Sequence, residues 1–181
     1  MVVIRFINNP KPLQLDAFRS LATITLSPYW VPSEPAENIV CKQQAFNYRR
    51  GESAIYLTSR LRRLEDEAAE CFRDTMIGGA HSILVDEWQS LRPVVDDQVD
   101  AEQFALKTAD VVDWNGKLVI LTEGKWNMLG IRSHNLFIDA DGDGRYIEEV
   151  VYQAPISQYR EHLNEAMLAM QSIEWKSVKR W

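Results

Sequence analysis

The sequence predicts an α+β domain, a mainly antiparallel sheet covered by two amphipathic helices. Three observations lead to this class: short runs of β-branched and aromatic residues bordered by turn residues, tight turns between consecutive runs, and two stretches with apolar residues every three or four positions. The chain of 181 residues has the length of one ordinary domain. We therefore expect a single unit over residues 1–181, with a lead segment at 1–21 and a basic tail at 176–181.

Composition predicts a folded chain and argues against some classes of protein. Apolar residues make up 46% of the chain, which provides enough burial to offset chain entropy. A formal net charge of -6 argues against nucleic-acid binding through phosphate neutralisation. No run reaches the roughly 18 apolar residues of a membrane span. The start, Met1–Asn9, is too short and too interrupted by Arg5 to be a secretion signal. As written, the chain is expected in the cytoplasm, or in the periplasm or outside the cell if a leader was removed.

Strands are predicted where Val, Ile, Tyr and Phe concentrate between turn residues. These segments are Ile39–Phe46, Ser53–Thr58, Ser82–Trp88, Lys117–Thr122, Asn135–Asp139 and Arg145–Gln153. Turn signals at Asn115–Gly116 and Gly142–Gly144 favour antiparallel hairpins. The proline-rich stretch Pro28–Pro35 and the acidic stretch Asp96–Glu102 are predicted to be loops.

Two amphipathic helices are predicted from the spacing of apolar residues. In the first, an apolar stripe runs from Leu57 to Met76 with charged residues between its members, and Gly78–Gly79 ends the helix. In the second, apolar residues repeat from Ile156 to Met170, and Ser157 is the candidate N-cap.

One loop has a spacing typical of a metal site. Asp139, Asp141 and Asp143 alternate, and Gly144 follows them. Three neighbouring carboxylates repel one another unless a cation neutralises them, and calcium takes 6–8 oxygen ligands of this kind. We therefore predict a calcium site in which Arg145 contributes its backbone carbonyl. The alternative interpretation is an acidic turn without a metal, because Asp and Gly favour turns for backbone reasons alone.

The rest of the predicted ligand set departs from an EF-hand. The twelfth position of such a loop requires a bidentate Glu, and here it is Val150. Glu148 and Glu149 fall two and one positions earlier and are the candidates for the last ligand. The flanking segments have strand composition, so the prediction is a β-hairpin calcium loop. A bound ion is expected to stiffen this hairpin and not to catalyse a reaction.

Other reactive residues form no recognisable constellation. His81, His134 and His162 are scattered without metal-ligand spacing, and no nucleophile elbow or phosphate-binding glycine loop is present. Cys71 lies on the predicted apolar stripe. The sequence does not decide whether Cys41 and Cys71 form a disulfide. No catalytic residue is predicted. Whether the chain is an enzyme is left open, with the balance against it.

The order of elements resembles a known family. The segment Ile24-Thr-Leu-Ser-Pro-Tyr-Trp30, then paired strands, an acidic helix, more strands and a last helix after Tyr152-Gln-Ala-Pro155 that runs into Ser172-Ile-Glu-Trp175, is similar to the PsbP/Mog1-like α/β/α sandwich. The resemblance covers Ala22 to Trp175. It implies a non-enzymatic domain that binds another protein. The acidic loop departs from the family pattern, and no binding residue of the family carries over.

Three hypotheses on function follow. The first is a soluble, bacterial-type accessory domain that binds a protein and carries a calcium-stiffened hairpin. The second is a metal-assisted hydrolase that uses Asp139, Asp141 and Asp143 with His134. The third is an immunity or inhibitor protein against a secreted toxin, for which small size and net acidity are suitable.

Overall fold

The computed structural model describes residues 11–34, 42–60 and 62–177. Within these ranges the strands are β1 (Pro12–Gln14), β2 (Leu21–Thr25), β3 (Val31–Ser33), β4 (Lys42–Arg50), β5 (Ser53–Arg60), β6 (His81–Ser82), β7 (Phe104–Trp114), β8 (Lys117–Trp126), β9 (Ile131–Asp139), β10 (Ile147–Pro155) and β11 (Glu174–Trp175). The helices are α1 (Asp66–Ile77), α2 (Val85–Ser90), α3 (Arg92–Val95) and α4 (Tyr159–Gln171), and a short 3₁₀ helix covers Asp96–Val99.

The described strands form two sheets. Eight strands make the main sheet in the order β3-β4-β5-β10-β9-β8-β7-β6, and each adjacent pair is antiparallel. A small sheet pairs β2 with β1 on one side and β11 on the other. This architecture confirms the predicted α+β class with a mainly antiparallel sheet.

Helices pack on both faces of the main sheet, because successive side chains of each strand point to opposite faces. On one face, here called the α4 face, Leu57, Leu136 and Val150 pack with α4 and the small sheet. On the other, here called the α1 face, Val111 and Phe137 pack with α1, α2 and α3. The result is a layered α/β/α arrangement with one core on each side of the sheet.

Both predicted hairpin turns are confirmed. Asn115 and Gly116 join β7 to β8 with φ angles of 55° and 85°, and Trp114 pairs with Lys117 across the turn. Two positive φ angles match the right-handed twist of the flanking strands, and Asn-Gly accepts them at low cost. The second hairpin joins β9 to β10 through the acidic loop, with Asp139 opposite Ile147.

The first helix begins later than the apolar spacing predicted. Leu57 lies in β5, a strand in the interior of the sheet between β4 and β10, and the helix begins only at Asp66. Burial on both faces gives this strand a nearly continuous run of buried residues, which spacing alone does not distinguish from the stripe of a helix. The prediction of a helix from Leu57 was therefore wrong at its beginning and correct at its end near Gly78.

The predicted strand Ser82–Trp88 was wrong. Only His81–Ser82 is a strand, and Val85–Ser90 forms α2. The side chains of Trp88 and Leu91 are three residues apart, and both are buried in the core of the α1 face. Tertiary packing at helical spacing thus outweighed the β-branched composition of the segment.

Other predicted boundaries need correction. β3 lies inside the predicted loop Pro28–Pro35, and the predicted loop Asp96–Glu102 begins with the 3₁₀ helix. Ser157 is not the N-cap of α4, because that position is Gln158 and makes no side-chain cap bond. The long strand β7 was not predicted. Of the predicted strand Ile39–Phe46, the first three residues lie outside the described ranges.

None of the described helices is long and apolar enough to cross a membrane.

Candidate functional site

The acidic loop is organised around the buried carboxylate of Asp139, the last residue of β9. Its Oδ1 accepts hydrogen bonds from the backbone N–H groups of Gly142 (2.9 Å) and Asp141 (3.3 Å), and its Oδ2 accepts one from Gly144 (3.0 Å). Backbone N–H donors that surround one carboxylate hold the loop in a fixed turn. The hairpin turn alone therefore accounts for Asp139 and the two glycines, because the carboxylate binds the backbone N–H groups of the loop.

Asp139 also lies close to a second carboxyl group. Burial raises the pKa of Asp139 to about 6, and both a hydrogen bond with the Asp141 carboxyl and its charge act in the same direction. The N–H groups of Gly142 and Gly144 lower the same pKa. Two carboxyl groups that are close enough to share a hydrogen bond are stabilised by a shared proton or by a cation.

The remaining loop positions of the predicted calcium site have mixed roles. The side chains of Asp141 and Asp143 are exposed, and Asp141 Oδ1 accepts N–H bonds from Asp143 and Arg145, each at 3.3 Å. The Arg145 carbonyl accepts a hydrogen bond from the Leu64 N–H at 2.8 Å, which joins the loop to the segment before α1. The three aspartates thus stay together in one loop, while the Arg145 carbonyl already has a partner.

The structure does not bring Glu148 and Glu149 to this loop. The two residues are neighbours in β10, so their side chains leave the sheet on opposite faces. Glu148 is fully buried on the α4 face, where the backbone and hydroxyl of Ser20 bond to it. Glu149 is buried on the α1 face and accepts a hydrogen bond from Arg60 Nε at 2.6 Å. Glu148 therefore accepts hydrogen bonds from neutral groups and Glu149 pairs with a guanidinium group, and neither completes the acidic loop.

His134 is also distant from the acidic loop. Five residues of extended strand separate it from Asp139, about 16 Å, and an odd separation places the two side chains on opposite faces. Burial lowers the pKa of His134. Within the described ranges, no three His, Cys, Asp or Glu side chains are grouped so that they could hold a metal ion. The hydrolase hypothesis therefore has no described histidine beside its carboxylates.

The other histidines and the cysteines have structural surroundings. His162 is buried in α4 and its Nδ1 lies 3.0 Å from the Ser53 hydroxyl. Cys71 makes no disulfide with another described residue, and burial together with nearby carboxylates raises the pKa of its thiol. Cys41 lies outside the described residues. No activated thiol is thus found in the part that the structure describes.

A groove lies where α2 meets β7, next to the two-residue edge strand β6, and we call it the α2–β7 groove. Its volume is about 310 Å³, and it opens to the surface. It is lined by Ser82, Ile83, Val85, Trp88 and five consecutive residues of β7, Leu106–Asp110. Its floor is apolar, and its lining includes one carboxylate and one ammonium group.

The surroundings of the α2–β7 groove expose apolar side chains. Leu84, Val85 and Leu106 keep 72%, 76% and 37% of their accessible surface, and two of the three line the groove. The sequence did not predict this groove, because Ser82–Trp88 was predicted as a strand where α2 forms, and β7 was not predicted. The spacing of Val85, Trp88 and Leu91 was the signal for the helix that forms one wall.

Comparison with known proteins gives likenesses of structure only. No family model and no curated protein sequence matches the chain. The chain is similar to the Saccharomyces cerevisiae Ran-binding protein Mog1p, with a TM-score of 0.43 and 13% identity, over 91% of this chain and 87% of that one. It is also similar to a crystal structure from Bacteroides thetaiotaomicron, with a TM-score of 0.44 and 10% identity.

The second likeness covers 86% of this chain and only 45% of the Bacteroides protein, so the chain spans less than half the length of that protein. Mog1p is the protein after which the PsbP/Mog1-like fold is partly named, and residues Ala22 to Trp175 resemble that fold in sequence order. At 13% identity the likeness concerns the fold alone.

Proposed function

We propose that this chain is a protein-binding accessory domain that holds a segment of its partner in the α2–β7 groove. The observation that carries the proposal is the coincidence of a groove of about 310 Å³ with the exposed side chains of Leu84, Val85 and Leu106. Single exposed apolar residues are common on protein surfaces, whereas several beside one concave site mark a contact surface. The function is therefore assigned to this edge of the sheet.

The walls of the groove have the rigidity that a docking site requires. Trp88 is buried and packs in the core of the α1 face, which anchors α2. Ile83 N–H donates to the Ala109 carbonyl at 2.9 Å, which fastens the segment before α2 to β7. The partner would meet a surface that is already formed, so little ordering free energy is lost on binding.

The outer edge of β7 adds backbone groups to the site. β6 pairs with β7 at Asp110 and Val111, and beyond Ala109 no strand of the described ranges covers Ala105–Thr108. A register shift at Leu106/Thr108 interrupts the ladder with β8 there. Such a bulge limits continuous strand addition. Recognition is therefore expected to depend on side chains inserted into the groove, with a few backbone hydrogen bonds.

The experiment is selection from a display library of random 15-residue peptides against the whole chain. Enriched peptides should bind the wild-type protein, and Val85→Gln should weaken their affinity about tenfold by placing a neutral polar side chain on the apolar wall. Leu168→Gln is the matched control, since Leu168 is 67% exposed on α4, on the opposite face of the sheet. Unchanged affinity in Val85→Gln and Leu106→Gln, or no enriched peptide at all, would reject the proposal.

We also propose that the acidic loop binds calcium and that the ion stiffens the hairpin β9–β10. The proposal is supported by the paired carboxyl groups of Asp139 and Asp141, because Asp141 raises the pKa of Asp139. A divalent cation would remove that repulsion, and carboxylate oxygens keep lone pairs after accepting one N–H bond. Asp143 would have to turn toward this pair to become a third ligand, since no three carboxylates of the described residues are grouped around one point.

Thermal unfolding in excess EDTA and in excess calcium tests this second proposal. Calcium should raise the melting temperature of the wild type by several degrees, as a ligand selective for the folded state does. Asp141→Asn should abolish the shift, and Asp97→Asn, which removes an exposed charge elsewhere, should keep it. Identical melting curves in EDTA and in calcium would reject the proposal that the loop binds calcium.

A further inference from the structure

We infer that the segment held in the α2–β7 groove is basic, with one aliphatic or aromatic side chain flanked by Lys or Arg. The inference rests on the proposed function and goes beyond it by naming the chemistry of the partner. Its basis is the charge around the groove together with the apolar floor described above.

Acidic charge is concentrated in the part of the chain that builds the groove. Between Asp66 and Trp114 there are twelve acidic residues and only three basic ones, whereas the rest of the chain has more basic than acidic residues. The whole chain has a net charge of -6. The excess negative charge thus belongs to one segment, and this segment includes α1, α2 and β7. A cationic partner is drawn to this side of the molecule.

One carboxylate lines the groove, and a second belongs to the residue next to the lining residue Val85. Asp110 lines the groove and accepts a hydrogen bond from the Ser82 hydroxyl at 2.6 Å. Asp86 directly follows the exposed Val85 and is itself exposed. Two carboxylates, one in the lining and one beside it in the chain, are therefore available to basic side chains that flank the apolar part of the partner.

The cation of the lining does not cancel this charge. Lys107 Nζ donates to Glu123 Oε2 at 2.8 Å, so its charge is already paired with a carboxylate of β8. The remaining lining side chains, apart from Asp110, are uncharged. The net charge that the groove presents is therefore negative.

His81, which precedes the lining residue Ser82, responds to Asp110 and to a further carboxylate, Glu87. Its Nδ1 lies 2.8 Å from the Gly79 carbonyl, and its Nε2 lies 3.2 Å from Glu87. The Gly79 carbonyl raises the pKa of His81 most, Glu87 raises it further, and the charge of Asp110 acts in the same direction. A positive charge is thus favoured at the position of His81, beside the groove lining.

The apolar part of the partner has a defined place as well. The lining includes the buried Trp88 and Ala109 together with two exposed apolar residues, Val85 of α2 and Leu106 of β7. A side chain inserted into the groove loses apolar contact with water, while flanking ammonium or guanidinium groups remain at the rim. Contacts of this kind at a rim supply specificity and association rate, and salt screens them.

The test uses the peptides enriched by selection on the wild-type chain. Basic peptides with an apolar residue should predominate, and their affinity should fall as salt is raised from 50 to 500 mM, about the range over which screening becomes strong. Asp86→Asn/Asp110→Asn should weaken binding about tenfold at the lower salt concentration. Glu67→Gln/Asp97→Asn, which removes two exposed charges of the same acidic segment outside the groove lining, should weaken it less than twofold.

Two kinds of failure are distinguishable. Enriched peptides that are neutral or acidic, or that bind Asp86→Asn/Asp110→Asn within twofold of the wild type, would overturn the inference and leave the groove as a binding site. Peptides that bind equally well to Val85→Gln and Leu106→Gln would reject the proposed function, and the inference with it.

Discussion

The carboxylate of Glu148 accepts hydrogen bonds from both the backbone N–H and the hydroxyl of Ser20, a residue 128 positions earlier in the chain. Backbone N–H groups of Arg19 and Leu21 donate to the same carboxylate. Glu148 is 0% exposed in β10 of the main sheet, and Leu21 begins β2 of the small sheet. One buried carboxylate thus fastens the small sheet to the main one.

Glu148→Gln should destabilise the protein by about 3 kcal/mol. The amide keeps one oxygen and brings an NH₂ group against the N–H donors, and bonds to a charged acceptor contribute about 1.5–3 kcal/mol each. Urea unfolding measures the change. Glu174→Gln is the control, because its carboxylate accepts one bond from Thr23 at 3.1 Å in an exposed position, and it should cost under about 1 kcal/mol. Equal stability of wild type and Glu148→Gln would contradict the assignment.

Gly144→Ala should be far more destabilising than Gly142→Ala. Both glycines have positive φ angles, 72° and 81°, but a Cβ at Gly144 would lie 2.3 Å from the Ala69 carbonyl oxygen, whereas one at Gly142 meets nothing within 4 Å. Gly142→Ala should cost only the left-handed backbone, about 1–2 kcal/mol. Gly144→Ala should cost several times that, because α1 must move away from the hairpin. Similar melting temperatures for both variants would show that α1 and the loop are not in this contact.

The contribution of Asp139 to the free energy of unfolding should fall as the pH rises from 4 to 7 in EDTA. Its pKa of about 6 in the folded state exceeds the ordinary 3.8, so the stabilisation is complete below pH 3.8 and is lost as pH rises through 6. The loss of stability is of the order of 2–3 kcal/mol, because a difference of one pKa unit between the folded and unfolded states corresponds to about 1.36 kcal/mol. Urea unfolding at several pH values measures this slope.

Two variants of the loop separate the causes of that slope. Asp141→Asn removes a neighbouring carboxyl that raises the pKa of Asp139, so the slope should shrink. Asp143→Asn should leave it unchanged, because Asp143 is not among the groups that shift this pKa. A slope that is the same in wild type and Asp141→Asn would show that the two carboxyl groups do not interact.

Thr122→Val should destabilise the protein by about 2 kcal/mol although the two side chains have nearly the same shape. The Thr122 hydroxyl donates to Gln98 Oε1 and accepts from Asn135 Nδ2, both at 2.8 Å, and all three residues are buried. Valine leaves both partners without that bond, at about 1–3 kcal/mol for a buried unsatisfied group. Thr108→Val, at an exposed position of β7, should change stability by less than about 0.5 kcal/mol. Calorimetry compares the two variants.

Some elements followed directly from local sequence. Asn115–Gly116 and Gly142–Gly144 predicted their turns correctly, because the backbone conformations they need depend on the residues themselves. The stripe from Ile156 to Met170 predicted α4 nearly in full, because a long amphipathic period has one interpretation. The beginning of the first helix and the strand at Ser82–Trp88 were predicted wrongly, because short apolar runs fit either structure and packing decided between them.

The spacing of Asp139, Asp141 and Asp143 placed three carboxylates in one turn, and that much was a property of the sequence alone, as were the α+β class and both hairpins. The directions of Glu148 and Glu149 were decided only by the tertiary structure, because neighbouring residues of a strand face opposite cores and find their partners far away in the chain. The α2–β7 groove likewise exists only where two distant segments pack beside each other, so no local pattern of residues could indicate it.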